Sequence, residues 1–333
     1  MPIPSLMSGL TGVIPGVIGA GISGVPLQIV GGAITNSTPF IFVSLGETLT
    51  ERSGRINLGQ EGTLVMGAMV GFGVSYLTAT HMPSIATALG PWFGVICAGL
   101  AAAVLGLIHA WLCSQPRVND IAVGIGIMIF GVGLAFDLGK PFIRPSAPHL
   151  PAINFGWWSK SQDVQDALKV NWLFLVGVAL APAMHWWLKN TKWGLILRTA
   201  GESVDASRAM GYSVNAVRLY ATVAGAFLAG VGGSFLSLYW PGVWNEGLNS
   251  GQGLMAVALV IFSRWNPINC LFAALLFGGA KALGPALQSV GISQGRYLFD
   301  AAPYFLTLLI MIVTCSASRS LVGAPGELGK SMA

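Results

Sequence analysis

The stretch ERSGRINLGQEG, residues 51–62, decides how this chain folds. Its twelve residues hold four charges, two amides and three glycines, and they sit between two long apolar runs. Across all 333 residues, 54% are hydrophobic and 9% are charged, with a mean hydropathy of +0.71. A soluble domain carries about 25% charged residues, so a water-soluble fold is excluded. The apolar runs are about twenty residues long, which is what a helix needs to cross a bilayer. They are continuous rather than alternating, and a membrane barrel would alternate. The expectation is therefore an all-α polytopic membrane protein, in which 51–62 is a break in a buried path rather than a plain connecting loop.

About nine embedded segments are expected, at 27–50, 58–79, 90–113, 119–138, 170–189, 216–238, 250–264, 266–287 and 299–317. The seventh is short and flanked by glycine, as a half-helix would be. Three regions result: an apolar N-terminal stretch 1–26, expected to lie at the interface rather than span; a transmembrane domain 27–318; and a tail 319–333. With the C-terminus on the cytoplasmic side, eleven Lys and Arg fall inside and five outside, four of the five in the long loop 139–169. That bias is the usual one for inner loops, and it places the N-terminus outside. The net charge of +5 is dispersed among loops, so nucleic acid is not expected as a partner. Trp157, Trp158, Trp186 and Trp187 suit anchoring at the lipid interface. Within the long loop, SKSQDVQDALK reads as a short surface helix.

The four cysteines lie in or at the ends of apolar segments without CxxC spacing, and read as small buried hydrophobes. His109 and Cys113 are one helical turn apart, but no further ligand accompanies them, so no metal site is expected. The first 46 residues carry no charge, so no cleavable signal peptide is expected. No P-loop, GxSxG or HExxH occurs, which leaves no catalytic constellation and no means of binding ATP within the chain.

The opening break has an echo. NLGQEG runs from Asn57 through Gln60 and Glu61, and NSGQG runs from Asn249 through Gln252. The two N-x-G-Q elements precede helices of opposite direction, which is the arrangement of inverted repeats whose interrupted helices line a substrate path. Irregular backbone at membrane depth is tolerated where it lines a cavity or is buried in protein. The candidate pathway residues are Asn57, Gln60, Glu61, Asn249 and Gln252, with Trp244 as a ring for stacking near the outer mouth. Glu61 is expensive against lipid and is expected to face the pore or to pair with Arg55 or Arg52. Lys281 is expected to snorkel or to neutralise a carboxylate such as Asp300.

Residues 190–215 form the largest inner loop. Ser203 caps a short helix over 204–210, Asp205 lies in its first turn, Arg208 follows, and Gly211 supplies a left-handed stop. A helix that short needs packing against something larger.

GETLTERSGRINLGQEG, AGESVDASRAMG and GQGLMAVALVIFSRWNP together resemble the membrane permeases of ATP-binding-cassette importers, over about residues 33–318. The nucleoside and simple-sugar branch, related to the branched-chain amino-acid permeases, is the nearest group. Asp205-Ala206-Ser207-x3-Gly211 is similar to the Glu-Ala-Ala-x3-Gly loop through which such permeases engage their ATPases, with Asp in place of Glu and Ser in place of the second Ala. The resemblance implies a coupling element comprising Glu202, Ser203, Asp205, Ala206, Ser207, Arg208 and Gly211. It also implies a bacterial inner-membrane location, a cytoplasmic ABC ATPase that binds the ATP and Mg, a second permease chain and an extracytoplasmic substrate-binding protein. The amides suit a neutral polar solute, a nucleoside or related purine compound. A pentose or hexose permease is the alternative, and a stand-alone secondary transporter is a more distant one.

Overall fold

The computed structural model describes residues 24–143, 145–248, 251–291, 298–299, 301–314 and 323–328. Its elements are α1 (Val25–Arg52), α2 (Gln60–His81), α3 (Pro83–Leu112), α4 (Asp120–Gly139), β1 (Ala152–Asn154), α5 (Gln162–Ala167), β2 (Lys169–Asn171), α6 (Trp172–Asn190), α7 (Lys192–Glu202), α8 (Val204–Ala209), α9 (Val214–Leu238), α10 (Gln252–Phe262), α11 (Pro267–Ser289) and α12 (Ala302–Thr314). The chain is an all-α polytopic membrane protein.

Seven helices among the described residues are long and apolar enough to span, two fewer than the nine segments expected. The difference lies in segments seven and nine. Segment seven is α10, eleven residues and therefore about 16 Å, roughly half the hydrocarbon thickness. Segment nine is represented by α12, thirteen residues long among those described. Residues 1–23 and most of the tail lie outside the described residues. A second departure concerns 190–215, which contains a whole helix, α7, besides the short one. Thr191 caps it by accepting from the Gly194 N–H at 3.1 Å, and Ile196, Leu197 and Ala200 form its buried face. A sequence reading fixed on the Ser203 cap overlooks the equivalent Thr191 cap twelve residues earlier.

α9 is the central helix and packs against α1, α2 and α3. Small residues make that possible. A Cβ at Gly225 would lie 2.5 Å from the Gly46 carbonyl of α1, and one at Gly67 of α2 would lie 2.5 Å from Gly230 Cα of α9. Backbones this close gain dispersion contacts, which drive helix association where lipid supplies no hydrophobic force. The buried hydroxyls of α1 satisfy themselves within the helix: Ser44 donates to Ile41 O at 3.2 Å and Thr48 to Ser44 O at 2.7 Å. Local bonding of this kind lets polar side chains enter an apolar core.

In the long loop between α4 and α6, β1 and β2 pair antiparallel, with Ile153 opposite Val170. The expected surface helix is α5, and Trp157 and Trp158 beside it are exposed. This hairpin and its helix cap one end of the bundle.

Candidate functional site

Both N-x-G-Q elements end at a helix start. Gly59 is the N-cap of α2 and Gly251, at φ +77°, is the N-cap of α10, so Gln60 and Gln252 are each the first helical residue. The left-handed backbone at Gly251 is where a residue without Cβ is needed. The two helix starts touch. Glu61 accepts hydrogen bonds from the backbone N–H groups of Gly251 at 2.9 Å, Gly253 at 2.6 Å and Leu254 at 3.3 Å. One carboxylate from the first break thus caps the half-helix that follows the second. The orphan donors of a helix N-terminus and its positive dipole end make this a favourable seat for an anion. Gly253 permits the approach, since a Cβ there would lie 2.6 Å from Glu61 Cα.

The expected partners of Glu61 are engaged elsewhere, a correction to the sequence reading. The Arg55 guanidinium lies 3.6 Å from Asp120 at the start of α4, and Arg52 Nε donates to the Trp265 carbonyl at 3.1 Å. Capping needs no counter-ion, because three backbone dipoles supply the positive field.

The amides divide into two kinds. Gln60 is internally bonded: its Nε2 donates to Glu47 Oε2 and its Oε1 accepts from Thr63 at 3.3 Å. Asn57 Oδ1 accepts from the Gly59 N–H at 2.9 Å, whereas its buried Nδ2 has no hydrogen-bond partner among the described residues. Gln252 Oε1 is likewise buried, with no partner among the described residues. Each break therefore holds one buried amide atom without a hydrogen-bond partner among the described residues. Asn249 lies outside the described residues.

Two carboxylates that the sequence reading passed over organise the first break and the turn after α10. Glu47 and Glu51, one turn apart on α1, are 0% and 2% exposed. Glu47 accepts from the Asn57 N–H at 2.9 Å as well as from Gln60, which fixes the first break. Glu51 accepts from the Trp265 indole N–H in the turn between α10 and α11. In that turn Arg264 and Trp265 take φ of +52° and +54°, a conformation that costs energy in residues bearing a Cβ. The signal was available as GETLTE, two glutamates at i and i+4 in a helix whose only other charge is its last residue, Arg52.

Trp244 does not line a mouth. It is 1% exposed, donates to the Gly139 carbonyl at 2.9 Å and packs beside Phe136. Its indole ties the loop after α9 to the end of α4. Lys281 is half-buried on α11 and makes no ion pair among the described residues, while Asp300 lies outside them. His109 and Cys113 are both buried, 3.6 Å apart between Nε2 and Sγ.

At the other functional stretch, Ser203 Oγ accepts from the Ala206 N–H at 3.2 Å, and α8 ends before Gly211 at φ +83°. Asp205, Ala206 and Arg208 are exposed, as is Gly211, while Ser207 is buried and its hydroxyl has no partner among the described residues. Glu202 accepts from the Gly326 N–H at 3.2 Å. α8 thus offers an outward face with one acidic and one basic residue.

Seven helices long and apolar enough to span among the described residues, a short apolar helix capped by Glu61 and the exposed α8 define the class: a multi-pass membrane protein. The family model of the branched-chain amino acid transport system, permease component, matches residues 29–315, and the chain belongs to that family. It is similar to a putative glucose ABC transporter permease of Haloferax volcanii, 30% identical over 77% of each chain. It is 28% identical to a guanosine ABC transporter permease of Bacillus subtilis and 27% to a nucleoside ABC transporter permease of Lactococcus lactis, each over 85% of this chain and 90% of the relative. The protein is a transport subunit rather than an enzyme.

Proposed function

We propose that this chain is the permease of an importer that carries a neutral, hydrogen-bonding solute, a nucleoside or related purine compound, driven by a separate cytoplasmic ABC ATPase. The observation that carries the reading is the meeting of the two breaks through Glu61, each break holding a buried amide atom, Asn57 Nδ2 or Gln252 Oε1, with no hydrogen-bond partner among the described residues. An unmet buried polar group costs about 1–3 kcal/mol, and a solute bearing matching groups recovers it. A cationic solute finds no free carboxylate at these breaks, because Glu47 and Glu61 already accept from Gln60 and from the start of α10. The guanosine and nucleoside permeases among the relatives support the solute class.

In this reading α8 docks on the ATPase through Asp205, Ala206, Arg208 and Gly211, with Ser207 facing the membrane domain. A second permease chain completes the path, ATP and Mg reside in the ATPase, and an extracytoplasmic binding protein delivers solute from the side of the N-terminus. The bilayer is a bacterial inner membrane with the C-terminus in the cytoplasm. Access switches when the α10 start swings away from Glu61, and solute shifts that equilibrium by its different affinity for the two states.

A sugar importer is the second reading, favoured by the glucose permease relative. The cognate binding protein discriminates them. Ligand at a hundred times Kd stabilises a folded protein by about 2.7 kcal/mol, a rise of several degrees in Tm. The expected result is a rise with guanosine and none with glucose; a rise with glucose alone overturns the nucleoside assignment.

A further inference from the structure

The segment Gly323–Leu328 is fastened to the base of the membrane domain beside α8. Leu328 is 4% exposed, and Ala324 packs on the hydrophobic core. The Glu327 N–H donates to the Gly201 carbonyl at 2.9 Å, and the Gly326 N–H donates to the Glu202 carboxylate at 3.2 Å. Both acceptors belong to the last turn of α7, and Ser203, the N-cap of α8, follows immediately. The Glu327 carboxylate lies 3.7 Å from the Arg218 guanidinium of α9, with the two side chains 11% and 15% exposed.

Arg218 joins three pieces of chain at this point. Its Nε donates to the Ser53 carbonyl at 3.0 Å and its Nη2 to the Ala200 carbonyl at 3.4 Å. Ser53 ends α1, and Gly54 after it takes φ +87° with Arg218, Glu327 and Gly201 crowding the place of its missing Cβ at 2.9, 3.0 and 3.1 Å. Three residues beyond Gly54 lies Asn57, the start of the first break. The corner that carries α8 and the turn that carries the break are therefore held together by one guanidinium, and the late segment locks that guanidinium in place.

We infer that Gly323–Leu328 is a strap that makes the α7–α8 corner and the α1–α2 turn move as one body, with Glu327 and Arg218 as positioning residues for energy coupling. The inference rests on the reading of α8 as the ATPase-docking element. A six-residue helix transmits displacement only if its base is rigid, and Ser203 at φ −155° is an extended hinge on which α8 would otherwise pivot. Coupling between distant sites passes through packed networks with two arrangements, and single contacts along them change it by about 0.5–2 kcal/mol, or about twofold to thirtyfold.

Hydrogen exchange on the permease bound to its ATPase, resting and trapped with ATP and vanadate, tests this without knowledge of the solute. In the native complex, trapping is expected to change deuterium uptake both at 204–209 and at 53–59. In Glu327→Gln the change at 204–209 persists, while that at 53–59 falls by about fivefold or more; Glu327→Lys, which repels Arg218, loses it altogether. A response at 53–59 equal to the native one in both variants overturns the strap, and so does failure of both variants to assemble with the ATPase. If the native complex itself shows no change at 204–209, the docking role of α8 fails, and the strap's role in coupling fails with it. A native response at 204–209 with an unaltered response at 53–59 in the variants sinks the strap alone.

Discussion

At the scale of single residues, the decisive group is Glu61. Its carboxylate spans 190 positions of sequence to cap α10 through the Gly251 N–H at 2.9 Å and two further N–H groups. Hydrogen bonds to a charged acceptor are worth about 1.5–3 kcal/mol each at the most favourable sites, and caps typically about 1 kcal/mol. Glu61→Ala is expected to free the start of α10 by about 2 kcal/mol, which raises amide exchange at Gly253 and Leu254 about thirtyfold and cuts uptake at least tenfold. Glu61→Gln keeps an acceptor oxygen and loses less. Native exchange at those two amides in Glu61→Ala would show that the cap does not hold the half-helix. That Glu61 must be satisfied by something polar follows from its residue type and setting. Which partner it takes does not, because Arg52 and Arg55 are nearer in sequence and equally suitable by charge, and they were claimed by Trp265 and Asp120.

At the scale of elements, α8 and its surroundings divide in the same way. The Ser203 cap and the left-handed Gly211 are local features, and SVDASRAMG displays them openly. Gly211 also donates its N–H to the Arg208 carbonyl at 2.9 Å, and nothing crowds the place of its missing Cβ. Gly211→Pro removes that donor and forces φ near −65°, so the end of α8 cannot form. The expected outcome is a permease that inserts and melts normally, yet loses ATP-driven uptake; native uptake would show that the helix end has no part in coupling. α7 was less legible because its stripe of Ile196, Leu197 and Ala200 is short, and glycine, tryptophan and arginine interrupt it. α10 was legible as a short half-helix, but its cap was not, since the cap comes from another helix.

For the molecule as a whole, the bundle closes on α9 through glycine contacts whose effect depends on place alone. Gly225→Ala would drive a Cβ to 2.5 Å from the Gly46 carbonyl, whereas at Gly133, on α4, nothing lies within 4 Å. The same substitution is therefore expected to act in opposite directions: overpacking costs about 1–3 kcal/mol at Gly225 and lowers Tm by several degrees, while Gly133→Ala stabilises its helix by about 0.5–1 kcal/mol. Thermal melts of the detergent-purified protein measure both, and two equal shifts would show that the glycines do not set the helix spacing. The membrane class, the approximate positions of the helices and the two softened breaks could be read in one dimension, because helix length, hydropathy and capping depend on near neighbours. The cap on α10, the anchoring of the first break by Glu47 and of the α10–α11 turn by Glu51, and the burial of Trp244 depend on which surfaces meet. Close packing chooses among chemically equivalent partners, and that choice exists only once the helices are assembled.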